Sequence, residues 1–302
     1  MDTRERFISA HDDVRLYFEQ VGTGPEAVLF PNGIYLLDAF RASAAGRTLI
    51  FYDVRNRGRS EAVTEPSQRK SAILKDVSDL EAVRTHFAFP AVSLVGHSYM
   101  GLTVALYAMT YPERTSRVVQ LSPIEPHAGK AYPEQLRWSD GVMAEVFGKV
   151  AKLREQEKAL DAQTLCERFW ELLRAIYVFD PANAARISWG RCDLPNERAF
   201  VKYWSEDIFP SIQSLNLGPA DFARATAPTL IVHGTKDRSA AYGGARDWAM
   251  LLPDARLITL ENVAHAPWIE APEQVFGPID EFLRGQWPDS AKKIDSLDPA
   301  KD

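Results

Sequence analysis

The chain has 302 residues, of which 46% are hydrophobic and 25% are charged, a composition typical of a globular protein with one large α/β domain and an insertion. The formal net charge is −6 and no basic run is long enough to follow a phosphate backbone, so we expect no nucleic-acid partner. No apolar stretch approaches the about 18 residues that span a bilayer, and the charged N-terminus is not typical of a signal peptide, so we expect no membrane partner.

Short apolar runs alternate with helical patterns along the chain, which is typical of strands and helices around a largely parallel sheet. Eight strands are predicted, in chain order ERFIS, VRLYFEQ, AVLF, TLIFYD, AVSLV, RVVQLS, PTLIVHG and ARLITL. We expect the first two to form a hairpin through HDD. Four of the others, AVLF, TLIFYD, AVSLV and PTLIVHG, are apolar almost throughout, as expected for strands that are covered on both faces.

The alternation stops between Ser122 and about Pro228, where helical periodicity continues without a convincing strand. Amphipathic helices are predicted for GVMAEVFGKVAKLREQEKAL, LCERFWELLRAIYVF and NERAFVKYWSEDIF. Because insertions at the carboxyl ends of α/β strands border the ligand crevice, we interpret this block as a cap. The chain after Leu283 is polar, and we expect it to fray. The expected organisation is a core of residues 1–122 and 223–290, a helical cap of residues 123–222 and a polar C-terminal tail of residues 291–302.

Strand AVSLV runs directly into GHS and then into a helix, which is the local context of a nucleophile elbow. Such a turn lifts the serine hydroxyl, here that of Ser98, clear of the sheet and directs amides of the helix N-terminus toward a developing oxyanion. Gly96 is the small residue two positions before the serine, but Met100 stands two positions after it, with Gly101 following. Since methionine is unbranched and flexible, we expect its side chain either to occupy a pocket or to widen the turn.

Two further residues of the required types follow later strands. Asp237 comes just after PTLIVHG, and His265 comes just after ARLITL. The chain order serine, aspartate, histidine is that of an α/β-hydrolase triad. We therefore predict Ser98 as nucleophile, His265 as general base and Asp237 as the acid that orients the imidazole. Glu125, which follows RVVQLS, is the alternative acid. Its other interpretation is that it belongs to the hinge of the cap.

The sequence resembles the α/β-hydrolase superfamily over about residues 5–285, and within it the capped esterases, lactonases and proline-iminopeptidase-like members. FYDVRNRGRS is similar to the family's YDxRGxGxS loop, with Asn56 where glycine is usual. Asparagine is the residue that best replaces glycine in a left-handed conformation. The resemblance implies an eight-stranded, mostly parallel sheet flanked by helices with an inserted helical cap. It also favours a structural role for the three arginines of this loop, Arg55, Arg57 and Arg59, over an anionic-ligand site.

The family's oxyanion segment, commonly HGxP, matches NGIY here, with Asn32 in place of the histidine. The resemblance implies an oxyanion hole formed by the amides of Ile34 and Tyr99. In the implied mechanism Ser98 attacks a carbonyl carbon while His265 takes its proton, the two amides stabilise the oxyanion, and water then cleaves the acyl-enzyme. This chemistry needs no metal and no organic cofactor, and none is expected.

Aromatic residues and histidines near these segments are candidates for a substrate pocket, which in most proteins is concave and largely apolar. The residues predicted to line it are Tyr35, His127, Trp204 and Trp268. Two more aromatic residues, Trp170 and Tyr203, are candidates for the same role or for ordinary core packing. For the remaining histidines near the strands, His86, His97 and His233, we expect core or surface positions rather than metal ligation.

The two cysteines, Cys166 and Cys192, are too few for a disulfide framework and lie neither in a CxxC motif nor near a histidine at ligand spacing. This usage fits a reduced compartment best. With no apolar leader at the N-terminus, a cytoplasmic location is expected.

The leading functional hypothesis is a serine hydrolase that cleaves a carboxylic ester, lactone or thioester of a small molecule with an apolar part. A serine nucleophile argues against the dehalogenase and epoxide-hydrolase relatives, which need an aspartate. The first alternative is a proline-iminopeptidase-like aminopeptidase, in which Glu206 and Asp207 of the cap would hold a free amine. The second is a non-hydrolytic ligand-binding or biosynthetic scaffold, because a fold does not determine function. The sequence does not predict the oligomeric state.

Overall fold

The computed structural model describes residues 6–156, 159–188, 192–194 and 196–301. Eight strands form one sheet with the spatial order β1-β2-β4-β3-β5-β6-β7-β8. The strands are β1 Phe7–Ser9, β2 Arg15–Val21, β3 Glu26–Pro31, β4 Arg47–Tyr52, β5 Val92–His97, β6 Thr115–Leu121, β7 Thr229–Gly234 and β8 Ala255–Leu260. The pairs β1–β2 and β2–β4 are antiparallel and all others are parallel. The predictions of eight strands, an initial hairpin and a mostly parallel sheet are confirmed.

Helices flank the sheet and fill the connections between its strands. The α-helices are α1 Gly33–Phe40, α2 Pro66–Arg69, α3 Ala72–His86, α4 Tyr99–Thr110, α5 Val142–Glu155, α6 Ala162–Tyr177, α7 Glu197–Tyr203, α8 Phe209–Gln213, α9 Pro219–Arg224, α10 Tyr242–Leu251, α11 Pro267–Glu270 and α12 Pro272–Leu283. Every residue of β4, β5 and β7 is buried, as required when both faces of a strand are covered. The apolar runs in the sequence therefore correspond to the interior of the sheet.

The block between β6 and β7 consists of helices α5 to α9, and the described residues there include no strand. The second predicted cap helix begins three residues earlier than expected because Asp161 caps it, its carboxylate accepting from the amides of Gln163 and Thr164. The third continues through a π-helical segment, Trp204–Ile208, into α8. The exact boundary between core and cap stays a prediction.

The two cysteines form a disulfide that the sequence analysis did not expect. Cys166 in α6 and Cys192 in the segment before α7 are bonded, with their Cα atoms 5.9 Å apart. The interpretation that these cysteines fit a reduced compartment is therefore wrong, because a single cross-link inside an insertion needs no framework of several pairs. Disulfides persist in oxidising environments, so cysteine usage no longer supports a cytoplasmic location. Separately, among the described residues no helix has the length and apolar character needed to cross a membrane.

The C-terminal segment packs onto the core, so the expectation that it frays after Leu283 is also wrong. Its apolar residues are the cause: the Trp287 ring lies 4.8 Å from that of Phe282, and Ile294 is buried. Lys292 and Leu257 of β8 exchange two backbone hydrogen bonds of 2.8 and 2.9 Å. The apolar side chains interspersed among the charges thus anchor a segment that is polar on average.

The loop after β4 carries the arginines that the family resemblance singled out. Arg55 donates to both carboxylate oxygens of Asp79 on α3, at 2.6 and 2.8 Å. Arg59 donates to the carboxylate of Asp53 at 3.0 Å. Asn56 adopts a φ of 57°, so the expectation that asparagine replaces glycine in a left-handed conformation is confirmed. These ion pairs give two of the arginines a structural role.

Candidate active site

The turn between β5 and α4 has the geometry of a nucleophile elbow. Ser98 has φ 59° and ψ −126°, a strained conformation for a residue with a side chain and one that is concentrated at functional sites. Its amide donates to the carbonyl oxygen of Leu121 at the end of β6, at 2.9 Å, and its carbonyl oxygen accepts from Gly101, also at 2.9 Å. Ser98 is partly exposed, whereas the residues on both sides of it are buried. The strained turn therefore presents one hydroxyl at the carboxyl end of the sheet.

Two glycines allow this turn to form, and Met100 does not disturb it. A Cβ atom on Gly96 would lie 2.2 Å from the carbonyl oxygen of Met100, and one on Gly101 would lie 2.7 Å from the Cβ of Pro123. The Met100 side chain itself is completely buried. Of the two outcomes expected for this residue, it occupies a pocket, and the close backbone approach that requires a small residue occurs at position 101.

Asp237 and His265 are brought together by the loops after β7 and β8. An added Cβ atom on Gly234, the last residue of β7, would lie 2.0 Å from the carbonyl oxygen of Val263, so this glycine permits the two loops to touch. His265 Nδ1 donates to Asp237 Oδ2 at 2.7 Å. Asp237 Oδ1 accepts from the amide of Ala240 at 2.9 Å. Burial alone would raise the pKa of Asp237, but the His265 imidazole and these hydrogen bonds hold it below its ordinary value.

His265 is fully buried among aromatic rings. Its ring centroid lies 4.6 Å from that of His97 and 4.9 Å from that of Tyr177, a residue at the end of α6. His97 Nε2 donates to the His265 carbonyl oxygen at 2.8 Å, and burial lowers the pKa of His97 well below its ordinary value, keeping that ring neutral. His265 Nε2 has no hydrogen-bond partner within the described residues. His97 links this imidazole to the elbow, since its ring packs on that of His265 and Ser98 directly follows it in the chain.

Glu125, the alternative acid, lies elsewhere. Its backbone packs on α10, where a Cβ atom on Gly244 would lie 3.0 Å from the Glu125 Cα. The Nδ1 hydrogen of His265 is already donated to Asp237. The structure therefore brings Asp237, and not Glu125, to the imidazole.

The two predicted oxyanion donors differ in their surroundings. Tyr99 is the first residue of α4, so its amide is among those that have no intrahelical acceptor. Ile34 is the second residue of α1, which begins after the left-handed Asn32 with φ 66°. Burial raises the pKa of Asp53, and the Ile34 amide is one of the hydrogen-bond donors that oppose this rise. Both donors stay predictions.

Two of the four predicted pocket residues pack on residues of the elbow. The Trp268 ring packs edge-on against His97 at 4.7 Å, and the Trp204 ring packs edge-on against Tyr99 at 5.0 Å. Tyr35 packs on Arg57 of the loop after β4 and on Trp170 of α6. His127 is placed differently, since its Nε2 lies 3.2 Å from the Leu217 carbonyl oxygen and its ring packs on Phe222 of α9. His127 therefore packs on α9 and on the segment before it.

A buried ion pair next to these aromatic rings was missed by the sequence analysis. Glu197, the first residue of α7, accepts from Arg57 at 3.1 and 3.3 Å, and Tyr35 Oη lies 3.4 Å from the same carboxylate. The guanidinium carbon lies 3.9 Å from the Tyr35 ring centroid and 3.7 Å from that of Phe200. Arg57 and Glu197 are 140 residues apart in the chain, so no local motif signals the pair. It connects the cap to the loop after β4.

A group of three or more histidine, cysteine, aspartate or glutamate side chains suited to hold a metal ion is not found in the described parts of the chain. The histidines near Asp237 instead pack on each other and on aromatic rings, and one nitrogen of each faces a carbonyl or carboxylate oxygen.

A family model described as the alpha/beta hydrolase fold matches residues 26–272. The chain is 30% identical over 121 residues to a (lyso)-N-acylphosphatidylethanolamine lipase of Bos taurus, a match that covers 39% of this chain and 35% of the lipase. The chain thus spans about a third of the length of that relative. It is 23% identical over 295 residues to a proline iminopeptidase of Heyndrickxia coagulans, covering 88% of this chain and 93% of that protein.

A solved structure with a similar backbone is the 2-hydroxy-6-oxo-6-phenylhexa-2,4-dienoate hydrolase from Rhodococcus sp. strain RHA1. The TM-score is 0.71 at 22% identity, and the superposition covers 92% of this chain and 97% of that one. At this identity the likeness shows the fold alone.

Proposed function

The chain belongs to the α/β-hydrolase fold family and is an enzyme of the hydrolase type; on this premise we propose that it is a serine hydrolase that cleaves a carboxylic ester, lactone or thioester. The observation that carries the proposal is the 2.7 Å pair of Asp237 and His265, whose second imidazole nitrogen has no partner among the described residues, together with the strained turn at Ser98. A nucleophile, a base and an orienting acid are the groups that acyl transfer requires.

The proposed mechanism assigns one physical role to each group. Ser98 Oγ attacks the carbonyl carbon while His265 Nε2 takes its proton, and Asp237 holds the Nδ1 tautomer and stabilises the imidazolium. Amides of Tyr99 and Ile34 donate to the tetrahedral oxyanion, where the loss of one such donor costs about 3 kcal/mol of transition-state stabilisation. His265 then returns the proton to the leaving group and activates the water that releases the acid from Ser98.

A small substrate with an apolar part is proposed because aromatic surfaces border the elbow and the imidazole. Trp268 and Trp204 pack on the residues immediately before and after Ser98. Tyr35 and Trp170 add two further rings, whose centroids are 6.0 Å apart. The names of the similar proteins include a lipase, an iminopeptidase and a dienoate hydrolase, so they do not single out one acyl group.

The test is mass-spectrometric mapping of a fluorophosphonate adduct on the purified protein, combined with turnover of aryl esters of increasing acyl length. We expect the adduct on Ser98 and loss of both labelling and turnover in Ser98→Ala and His265→Ala. Ser205→Ala changes an exposed cap serine and should keep both, as a matched control. An unlabelled Ser98 in folded protein would overturn the proposal and move the non-hydrolytic scaffold, which predicts saturable ligand binding without turnover, to first place.

An aminopeptidase is the second candidate, because the match to the proline iminopeptidase covers most of the chain. The acidic residues that this function would need are already paired: Asp207 forms an ion pair with Arg69, and Glu206 lies 3.3 Å from Arg69 and 3.9 Å from Lys202. We therefore expect aryl esters to be cleaved with a much higher kcat/KM than prolyl arylamide. The reverse preference would favour the aminopeptidase.

A further inference from the structure

A second histidine lies behind the proposed catalytic aspartate. His233 belongs to β7 and is completely buried. Its Nε2 lies 3.7 Å from Asp237 Oδ2, the oxygen that accepts the Nδ1 hydrogen of His265 at 2.7 Å. One carboxylate oxygen thus lies between two imidazoles, only one of which is close enough to donate to it.

The hydrogen bond on the other side of His233 determines its tautomer. Nδ1 lies 2.9 Å from the carbonyl oxygen of Gly234, and because a carbonyl oxygen only accepts, Nδ1 must carry the hydrogen. A neutral imidazole has a single N–H, so Nε2 is bare. In agreement, Nε2 has no hydrogen-bond partner among the described residues. Burial lowers the pKa of His233 and favours this neutral form.

We propose that His233 is a positioning residue for Asp237. In its neutral form the His233 ring lies against the Asp237 carboxylate without donating to it, so that the Nδ1 hydrogen of His265 has no competitor for Oδ2. When protonated, its Nε2 gains a hydrogen directed at Oδ2 and competes with His265 for that oxygen. The inference rests on the proposed function, in which Asp237 orients the catalytic base.

The surroundings of His233 determine which charges act on its protonation. Asp237 attracts a proton to it, whereas burial and the His265 imidazole oppose protonation. The His97 imidazole, at the end of β5, is also close enough for the two charges to interact. From α10, the Tyr242 ring lies 6.0 Å away. Asp237 is thus the negative group next to His233, and protonation of His233 places its charge against that carboxylate.

This arrangement makes a specific prediction for the acid side of the pH profile. Turnover requires a neutral His265 to act as base and, on our inference, a neutral His233 as well. Below both pKa values, log kcat/KM should therefore rise with pH with a slope of two. A residue that only fills space behind Asp237 would leave the slope at one.

The experiment measures kcat/KM for an uncharged aryl ester from about pH 4 to pH 9. His233→Phe keeps the ring without its nitrogens, and we expect its own pH profile to have an acid slope of one, whatever its rate at the plateau. His233→Asn adds an amide that can donate to Oδ2 at every pH, so kcat should fall about tenfold with little change in KM. His86→Phe, the same substitution at an exposed histidine of α3, should leave the profile unchanged. A slope of one in the unaltered protein, or of two in His233→Phe, would overturn the inference.

Histidine ¹⁵N NMR of the protein with its histidines intact tests the inference without relying on turnover or on folding of a variant. We expect His233 to carry its hydrogen on Nδ1 near pH 8, and the His265 Nδ1 signal to shift as His233 gains a second proton in acid. A hydrogen on Nε2 near pH 8, or an acid titration that leaves the His265 signal unmoved, would overturn it. Because Ser98→Ala tests the proposed function separately, failure of that function and failure of the His233 inference are distinguishable.

Discussion

The buried ion pair of Arg57 and Glu197 leads to a quantitative prediction about how the cap is held. Both side chains are at most 1% exposed, and Nη2 lies 3.1 Å from Oε1. At an effective dielectric constant of about 20, two unit charges at this distance attract each other by about 5 kcal/mol, which offsets much of the cost of burying them. Removal of one partner leaves the other charged, buried and unpaired, and such changes typically cost about 3–5 kcal/mol.

We therefore expect Arg57→Met and Glu197→Met each to lower the free energy of unfolding by about 3–5 kcal/mol. The double variant should lose far less than the sum of the two, because it leaves no uncompensated charge in the interior. The measurement is urea denaturation of all four proteins at neutral pH, followed by tryptophan fluorescence. Activity should fall in both single variants, since Glu197 also accepts from Tyr35, one of the predicted pocket residues.

An exposed pair gives the control for this cycle. Lys149 and Glu145, one turn apart on α5, are ion-paired at 2.6 Å but more than half exposed, so solvent screens their attraction and their removal should be additive. If the effects of Arg57→Met and Glu197→Met also add to within about 0.5 kcal/mol, the pair is not coupled and the reasoning from burial is refuted.

Met100→Gly restores the usual glycine spacing but removes a completely buried side chain, so it should lower the free energy of unfolding by about 3–5 kcal/mol while fluorophosphonate still labels the nucleophile. The hydrogen bonds from Arg238 lower the pKa of Asp140 from 3.8 to about 2, so this pair stabilises the fold above about pH 4 and its contribution is lost as the pH falls toward 2. Asp140→Asn should therefore lower the free energy of unfolding by about 1–2 kcal/mol at neutral pH and by almost nothing near pH 2. Urea denaturation at both pH values measures this difference. Replacing both cysteines by serine removes a cross-link between Cys166 and Cys192, which are 26 residues apart; it should cost about 3 kcal/mol, and a reductant should bring the unaltered protein to the same value.

Each of these expectations can fail in a defined way. Loss of labelling in Met100→Gly with the fold intact would show that the methionine side chain, and not the glycine after it, supports the turn. An equal cost of Asp140→Asn at both pH values would show that the lost contact is steric and not ionic. A midpoint of denaturation that does not respond to the reductant would contradict a stabilising role for the disulfide.

The strands could be predicted because each is specified by residues that are neighbours in the chain. AVSLV and PTLIVHG are apolar on both faces, and the corresponding strands are buried throughout. The prediction that Asp237 and His265 lie together used a second local fact, that each follows a strand of a parallel sheet, and parallel strands place their carboxyl ends at one edge. Their 2.7 Å hydrogen bond agrees with this argument from strand order.

The contacts that were missed join residues that share no local pattern. Glu197 looked like an ordinary charged residue at the start of a helix, and its burial follows only from how α7 packs over the loop that holds Arg57. The cysteine pair was dismissed by a counting rule that applies to small disulfide-rich domains. His233 was correctly placed in a buried strand, but its distance to Asp237 depends on the turn after Gly234, which periodicity does not describe.

The hydrogen bonds between Lys292 and Leu257 have a consequence for association between molecules. β8 is the last strand of the sheet, and an unpaired outer strand offers backbone donors and acceptors to a strand of another chain. The C-terminal segment occupies part of that edge and places a lysine there, a residue that disfavours strand addition. A chain shortened after Leu283 would lose this cover and also expose the apolar surface under Ile294. We therefore expect the shortened chain to self-associate at high concentration, even where its catalytic activity is unaffected.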